Sequence, residues 1–222
     1  MNKQDIVNAV SEFDDQKRIV TAFHRLYYND QVWANGRTRW QGIPVSKCPL
    51  DLHIFQELIY RIQPEVIIEC GAYLGGSALY MATILDCIGK GTIISIDIQD
   101  HGIKVKHPRI RFELGRSSTD RDTLYKVREF VGNKSPVMVI LDSDHRAEHV
   151  LNELNLYSPY VTSGSYLICE DTNINNIVAL DSGPGPAEAV REFLGTNTEF
   201  YVDKECEKFF LTFNISGYLR RK

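Results

Sequence analysis

The sequence predicts an α/β protein whose mostly parallel sheet is covered by helices on both faces. Short apolar runs rich in β-branched residues recur at residues 65–70 (EVIIEC), 92–98 (TIISIDI), 109–114 (RIRFEL), 136–141 (PVMVIL) and 165–170 (SYLICE). Continuous rather than alternating apolar runs are typical of strands buried on both faces. Stretches with helical spacing separate them, which predicts parallel strands joined by crossover helices.

The two ends of the chain depart from this alternation. Residues 1–40 carry apolar groups at helical spacing among many charges, which predicts one or two amphipathic helices. We therefore predict a helical extension and loop over residues 1–48 and one compact domain over residues 49–222. Near the other end, only a short polar link separates EFYVD (199–203) from KFFLTFN (208–214), which predicts a hairpin and an antiparallel last strand. The basic end, GYLRRK, is typical of a solvated tail.

Composition excludes several classes of function. The net charge of -4 and pI near 5.9 give no electrostatic reason to expect nucleic acid or an anionic membrane as the main partner. Five widely separated cysteines predict neither a disulfide framework nor a cysteine zinc site. No apolar run has the length of a signal peptide or a membrane span, so we expect a cytoplasmic protein.

A glycine-containing loop follows the first predicted strand, in the sequence Glu69-Cys-Gly71-Ala-Tyr73-Leu-Gly75-Gly-Ser77. Such a loop lets the backbone approach a ligand at the start of a helix, or simply joins strand and helix. Its spacing differs from the dinucleotide pattern G-x-G-x-x-G. Asp97 ends the second strand, where a carboxylate can accept hydrogen bonds from both hydroxyls of a ribose. Nucleoside binding without a pyrophosphate is therefore favoured.

Acidic residues close two later strands, Asp142 after PVMVIL and Glu170-Asp171 after SYLIC. Carboxylates that converge at one sheet edge repel unless a cation intervenes, and oxygen ligands suit Mg²⁺ or Mn²⁺. Capping of the following helix or turn is the alternative. The nearby segment 145–149 (HRAEH) also fits the zinc pattern H-x-x-E-H. We favour His145 as a base in the same pocket, because zinc would leave the carboxylates unexplained.

The whole pattern resembles the cephalosporin hydroxylase / rhamnosyl O-methyltransferase family of class I, metal-dependent O-methyltransferases that use S-adenosylmethionine. The stretches that carry the resemblance run from Trp40 to Arg221: WQGIPVSKCPLD, IIECGAYLGGSAL, ISIDI, HPRIRFELGRSS, ILDSDH, YLICEDTN, GPGPAEAV and EKFFLTFNISGYLRR. The family implies a Rossmann-like fold with a seven-stranded, mostly parallel sheet and a reversed last strand. The first forty residues are not placed by the resemblance.

The resemblance also implies roles for particular residues. Glu69, Gly71, Gly75 and Ser77 would surround the methionine part of S-adenosylmethionine, Asp97 its ribose and Ser117 its adenine; Tyr73, Gly115 and Asp142 complete the predicted cofactor set. Asp142, Glu170 and Asp171 match the divalent metal positions, with Mg²⁺ expected. His145 stands where catechol-type relatives have a lysine base, and Asp144 is its rival.

The predicted activity is thus methylation of a hydroxyl on a small molecule or carbohydrate by S-adenosylmethionine and a divalent cation. Two alternatives stay open at this stage. The first is an oxidoreductase of the cephalosporin hydroxylase type, and the second is a non-catalytic partner protein that binds S-adenosylmethionine. The helical extension makes a homo-oligomer plausible, and the acceptor is left open.

Overall fold

The chain is described by a computed structural model over residues 3–34 and 36–222. Its helices are α1 (Lys3–Asp30), α2 (Pro49–Ile62), α3 (Gly76–Ile88), α4 (Arg121–Val131), α5 (Ala147–Tyr157) and α6 (Pro186–Thr196). Its strands are β1 (Arg39–Trp40), β2 (Ile43–Pro44), β3 (Val66–Cys70), β4 (Thr92–Asp97), β5 (Ile110–Leu114), β6 (Val137–Leu141), β7 (Tyr166–Cys169), β8 (Phe200–Val202) and β9 (Tyr218–Arg221). Among the described helices, none is both long enough and apolar enough to cross a membrane.

A seven-stranded sheet with the order β5-β4-β3-β6-β7-β9-β8 forms the centre of the fold. The first five strands of this order, β5, β4, β3, β6 and β7, pair in parallel with their neighbours. Strand β9 pairs antiparallel with both β7 and β8. The predicted mostly parallel sheet with an antiparallel last strand is therefore confirmed. The chain order reverses beside β3, so the carboxyl ends of β3, β4, β6 and β7 meet at the edge where α/β sheets bind ligands.

The alternation of side chains along each strand divides the core into two layers. On β3, Val66, Ile68 and Cys70 pack with the buried sides of α4, α5 and α6. Ile67, from the same strand, faces the opposite way and packs with α2 and α3. Because both faces of the sheet are covered, its central strands carry the continuous apolar runs seen in the sequence.

The prediction of the last strand was wrong in its position. Residues 208–214 form no strand; Phe213 donates its backbone N–H to the Asp51 carboxylate at 2.8 Å instead of to a neighbouring strand. The last strand is β9, which the sequence suggested was a solvated basic tail. Its Arg221 donates to the Val161 carbonyl and to the Glu199 carboxylate, both at 2.6 Å, so the charges are paired at the sheet edge.

The C-terminal half of helix α1 contacts the rest of the fold. His24 is buried, its Nε2 lies 2.9 Å from Asn173 Nδ2, and its ring stacks on Phe213. Burial lowers the pKa of His24 to about 4, so the ring is neutral and accepts the amide hydrogen bond. On another side of α1, Phe23 and Leu26 are exposed. The boundary at residue 48 and self-association through this extension stay predictions.

Candidate active site

The loop between β3 and α3 lies directly against the residues that follow β6. Gly71 has φ of +103°, and a Cβ atom there would lie 2.0 Å from the carbonyl oxygen of Asp142. Gly75 has φ of +79° and precedes the first turn of α3. Because both positions are in the left-handed region, glycine permits the tight turn and the close backbone approach.

Glu69 lies on β3 behind this loop and is fully buried. Ser77 and Ser95 donate to its two carboxylate oxygens, each at 2.5 Å. Burial raises the pKa of Glu69 even though Lys47 and both serines oppose the shift. The hydrogen bond between Glu69 and Ser77 therefore pairs two buried polar groups and fixes β3 to the start of α3.

Asp97 joins the end of β4 to the glycine loop. Its carboxylate accepts hydrogen bonds from the backbone N–H of Tyr73 at 2.8 Å and of Gln99 at 2.9 Å. A cavity of about 180 Å³ opens beside it at the carboxyl edge of the sheet. Its lining includes the predicted residues Gly71, Asp97, Ser117 and Asp144, together with Ile96, Ile98, Ser118, Ser143, Arg146 and His149.

The remaining predicted cofactor residues lie around the cavity rather than in its lining. Tyr73 and Gly75 belong to the glycine loop, and Tyr73 is half-exposed with its ring 5.1 Å from that of His101. Gly115 follows β5 with φ of +82° and donates its N–H to the Asp97 carbonyl. Tyr73 and Gly115 thus adjoin the cavity only through their backbone hydrogen bonds to Asp97.

A second cluster of polar side chains forms where β6 and β7 end. Ligand-type atoms of Asp142, His145 and Asp171 all lie within 4.8 Å of one another, a spacing that can surround a metal ion. His145 Nε2 is 3.1 Å from Asp171 Oδ2 and 3.8 Å from Asp142 Oδ1. Burial lowers the pKa of His145, but its contacts with Asp142 and Asp171 outweigh burial and raise it to about 10. The imidazole is therefore held as a cation between two carboxylates.

Lys47 joins the predicted metal residues from the other side. Its Nζ lies 2.6 Å from Asp142 Oδ2 and 2.6 Å from Glu170 Oε1, and both Lys47 and Glu170 are buried. Burial opposes the lysine charge, but Asp142 and Glu170 outweigh it and raise the pKa of Lys47 above its ordinary value. From the sequence, Lys47 either lines or covers the pocket or is a surface lysine, and nothing in the loop before α2 indicates its buried contacts with two carboxylates.

Asp144, the second candidate base, lies apart from this cluster on the cavity wall. The guanidinium of Arg146 contacts both of its oxygens, at 2.6 Å and 3.1 Å. Arg146 lowers the pKa of Asp144 to about 2. A carboxylate with so low a pKa is a weak proton acceptor near neutral pH.

The histidines of HRAEH do not share a helical face. Helix α5 begins at Ala147, so His145 precedes it, and only His149 lies on the helix. His145 faces Asp171, whereas His149 Nε2 lies 3.5 Å from Glu153 Oε1. The geometry that zinc requires of this pair is therefore missing among the described residues.

The sheet order, the glycine loop and the acid that ends β4 together define the fold of a class I methyltransferase. Comparisons with known proteins agree with this class. A profile of the family described as "Rhamnosyl O-methyltransferase/CmcI" matches residues 31–222. The rhamnosyl O-methyltransferase of Mycobacterium leprae is 36% identical over 214 residues, which cover 92% of this chain and 91% of that protein. Its Mycobacterium tuberculosis counterpart is 35% identical over 213 residues, or 91% of this chain and 85% of that protein.

Solved structures share the fold at lower identity. A CmcI structure described as containing Mg and SAM has a TM-score of 0.66 and 19% identity, over 84% of this chain and 77% of that chain. The O-methyltransferase TomG from Streptomyces achromogenes, in complex with SAM, has a TM-score of 0.52 and 15% identity over 90% of each chain. The chain belongs to the rhamnosyl O-methyltransferase/CmcI family and is an S-adenosylmethionine-dependent O-methyltransferase. The predicted family and enzyme class are confirmed.

Proposed function

We propose that this enzyme methylates a hydroxyl group of a sugar-type acceptor and requires a divalent cation such as Mg²⁺. One observation carries the proposal: Asp142 and Asp171 converge with His145 at the sheet edge that also holds the Asp97 cavity. The sugar acceptor is supported by the mycobacterial relatives, which are named rhamnosyl O-methyltransferases. A sugar with neighbouring hydroxyls offers two oxygens to a cation.

The cavity fits the nucleoside part of S-adenosylmethionine. Asp97 accepts one backbone hydrogen bond on each carboxylate oxygen, and each oxygen keeps a further lone pair for a ribose hydroxyl. Ser117 lies on the cavity wall, where it would face the adenine. The glycine loop, with Gly71, Tyr73 and Gly75, would lie against the methionine part, supported from behind by Glu69 and Ser77. Gly115 completes the turn after β5.

We call Asp142, Glu170 and Asp171 the acid cluster. The chemistry of its donor atoms fits a divalent cation. Asp142, Glu170 and Asp171 would supply oxygen ligands, which Mg²⁺ and Mn²⁺ prefer. The Lys47 ammonium lies 2.6 Å from an oxygen of Asp142 and 2.6 Å from an oxygen of Glu170, so it balances part of the negative charge of these carboxylates. His145 lies at the same place and would either face the acceptor or serve as a further ligand.

For the chemical step, the enzyme must align the acceptor hydroxyl with the methyl group and remove its proton. Alignment alone supplies a large part of the rate acceleration. A bound divalent cation would hold the acceptor oxygen and lower the pKa of its hydroxyl. The acceptor oxygen bonds to the methyl carbon as the carbon–sulfur bond breaks. His145 would take the proton in its neutral form, which a divalent cation on Asp142 and Asp171 would favour by neutralising the two carboxylates that raise its pKa. Between the two candidate bases, His145 faces the acid cluster, whereas Asp144 is held by Arg146.

The oxidoreductase alternative gains no support from the site. Non-haem iron oxygenases use two histidines and one carboxylate, whereas the described cluster has one histidine and two carboxylates. The non-catalytic alternative is set aside, because the chain belongs to a family of O-methyltransferases.

Calorimetry with the purified, cofactor-stripped protein tests the proposal. S-adenosylmethionine, with Mg²⁺ or EDTA, and NAD are titrated into wild type, Asp97→Ala and the exposed-site control Asp15→Ala. We expect S-adenosylmethionine binding that Asp97→Ala weakens about 100-fold, since two charge-assisted hydrogen bonds are lost. Asp15→Ala should bind like wild type, and NAD should not bind.

Turnover of a rhamnoside acceptor completes the test, followed as S-adenosylhomocysteine release. EDTA and Asp171→Asn should each abolish turnover, and excess Mg²⁺ should restore it only in the EDTA-treated wild type. Full activity in EDTA would contradict the metal requirement. Turnover of a small phenol but of no glycoside would contradict the sugar-type acceptor.

A further inference from the structure

We propose that Glu153 sets the hydrogen-bond polarity of the cavity wall that faces the cofactor base, so that the wall selects an exocyclic amino group. The inference rests on the proposed function, because it takes the cavity to hold the adenine of S-adenosylmethionine. Glu153 itself would not touch the ligand. It is a positioning residue that acts through Ser118, Ser143 and His149.

Glu153 lies on α5 and is fully buried behind the cavity. Its Oε1 accepts hydrogen bonds from Ser118 Oγ at 2.5 Å and from Ser143 Oγ at 2.7 Å. Both serines and His149 line the cavity, whereas Glu153 does not. One buried carboxylate oxygen thus links Ser118, on the loop after β5, to Ser143, on the loop after β6.

The direction of these hydrogen bonds follows from the chemistry of the acceptor. A carboxylate oxygen only accepts, so each serine must point its one proton at Glu153 and away from the cavity. Glu153 Oε2 is buried and has no hydrogen-bond partner in the described part of the chain. Both serine protons therefore converge on the other carboxylate oxygen, Oε1.

His149 reinforces the same polarity. Its Nε2 lies 3.2 Å from Ser143 Oγ and 3.4 Å from Ser118 Oγ. Because both hydroxyl protons are directed at Glu153, Nε2 can only act as a donor, either to one of these oxygens or to Glu153 Oε1 at 3.5 Å. Its single proton therefore occupies at most one serine lone pair. The serine oxygens therefore keep lone pairs for a ligand, and the wall accepts hydrogen bonds rather than donating them.

An accepting wall distinguishes purines by the group on C6. The amino group of adenine donates to serine oxygens, whereas the keto oxygen of hypoxanthine would bring two acceptors together with no proton between them. A polar group left unpaired in a site is costly, and sites that hydrogen-bond their substrate reject analogues that lack the matching group. We expect wild type to prefer the amino compound about 50-fold.

The experiment measures the dissociation constants of S-adenosylhomocysteine and its 6-keto analogue, S-inosylhomocysteine, by calorimetry. Glu153→Met is compared with wild type and with Glu148→Met, a matched change at an exposed position of the same helix. Methionine offers no oxygen acceptor to Ser118 and Ser143, so their hydroxyl protons are free to turn to the cavity and can meet a keto oxygen. The preference should fall to about 5-fold or less in Glu153→Met and stay near 50-fold in Glu148→Met.

Ser143→Ala provides a second variant if Glu153→Met does not fold, since Ser143 is exposed on a loop. This variant should bind S-adenosylhomocysteine more weakly than wild type and bind the 6-keto analogue as wild type does. The ratio of the two dissociation constants should therefore again move towards one. Equal binding of both ligands by wild type would overturn the inference, as would a preference unchanged in both variants. Failure of wild type to bind either ligand would instead contradict the proposed function.

Discussion

Replacing Lys47 with methionine removes the positive charge from the centre of the acid cluster while keeping most of the side-chain volume. In wild type the Lys47 Nζ donates to Asp142 and Glu170 at 2.6 Å each, with 4% of the lysine side chain and 5% of the glutamate side chain exposed. The variant leaves the buried Glu170 without the Lys47 ammonium and leaves Asp142 with only the more distant His145, at 3.8 Å. We expect it to be much less stable than wild type when no metal is present.

The burial of Lys47 and Glu170 decides how much the free energy of unfolding falls. Exposed ion pairs contribute about 0–1 kcal/mol, whereas removing one partner of a buried pair costs about 3–5 kcal/mol. Asp142 keeps 21% of its side chain exposed and can regain some hydration, so we expect the low end of that range, about 3 kcal/mol. The control Lys90→Met changes an exposed lysine and should shift the free energy of unfolding by no more than about 0.5 kcal/mol.

Urea denaturation in EDTA measures the stability lost on substitution, and the same experiment in Mg²⁺ measures the stability that the metal restores. Mg²⁺ at about 100 times its dissociation constant should stabilise the variant by about 2.7 kcal/mol, because it binds only the folded protein. A loss below about 1 kcal/mol in EDTA, equal to that of an exposed pair, would refute the electrostatic reasoning. An absence of Mg²⁺ stabilisation in both proteins would contradict the proposed metal site.

Two further predictions concern residues that support the site. Burial raises the pKa of Asp51 to about 6 from 3.8, so its stabilising contribution is complete below pH 4 and is lost as pH rises through 6. Relative to Asp51→Asn, wild type should lose about 3 kcal/mol across that window in urea titrations, and a constant difference would contradict the pKa. Gly71→Ala brings a Cβ to 2.0 Å from the Asp142 carbonyl, whereas Gly115→Ala, also at positive φ, has open space. Thermal unfolding should show a cost of about 1 kcal/mol for Gly115→Ala and about 3 kcal/mol or more for Gly71→Ala, and equal costs would exclude the clash.

Hydrophobic pattern was sufficient to predict most of the sheet. The runs that became β3, β4, β6 and β7 are continuously apolar because helices cover both of their faces, and that pattern is local in the sequence. The last strand was misplaced for the opposite reason. In residues 208–214 the apolar side chains Leu211 and Phe213 are buried against α1 rather than in the sheet. In β9, the arginines are paired with distant groups that no local pattern reveals.

By itself the sequence determined the parallel sheet and the carboxyl edge where Gly71, Asp97, Asp142, Glu170 and Asp171 would gather, since strand ends carry them there. Only the tertiary structure decided how those groups pair. Lys47 reaches Asp142 across 95 residues of chain, and Glu153 reaches Ser118 across 35. Periodicity reports the face on which a residue lies, whereas such pairing depends on which elements pack side by side. Such packing is a property of the whole fold. It places His145 at the acid cluster and Asp144 at the cavity, although the two residues are neighbours in the sequence.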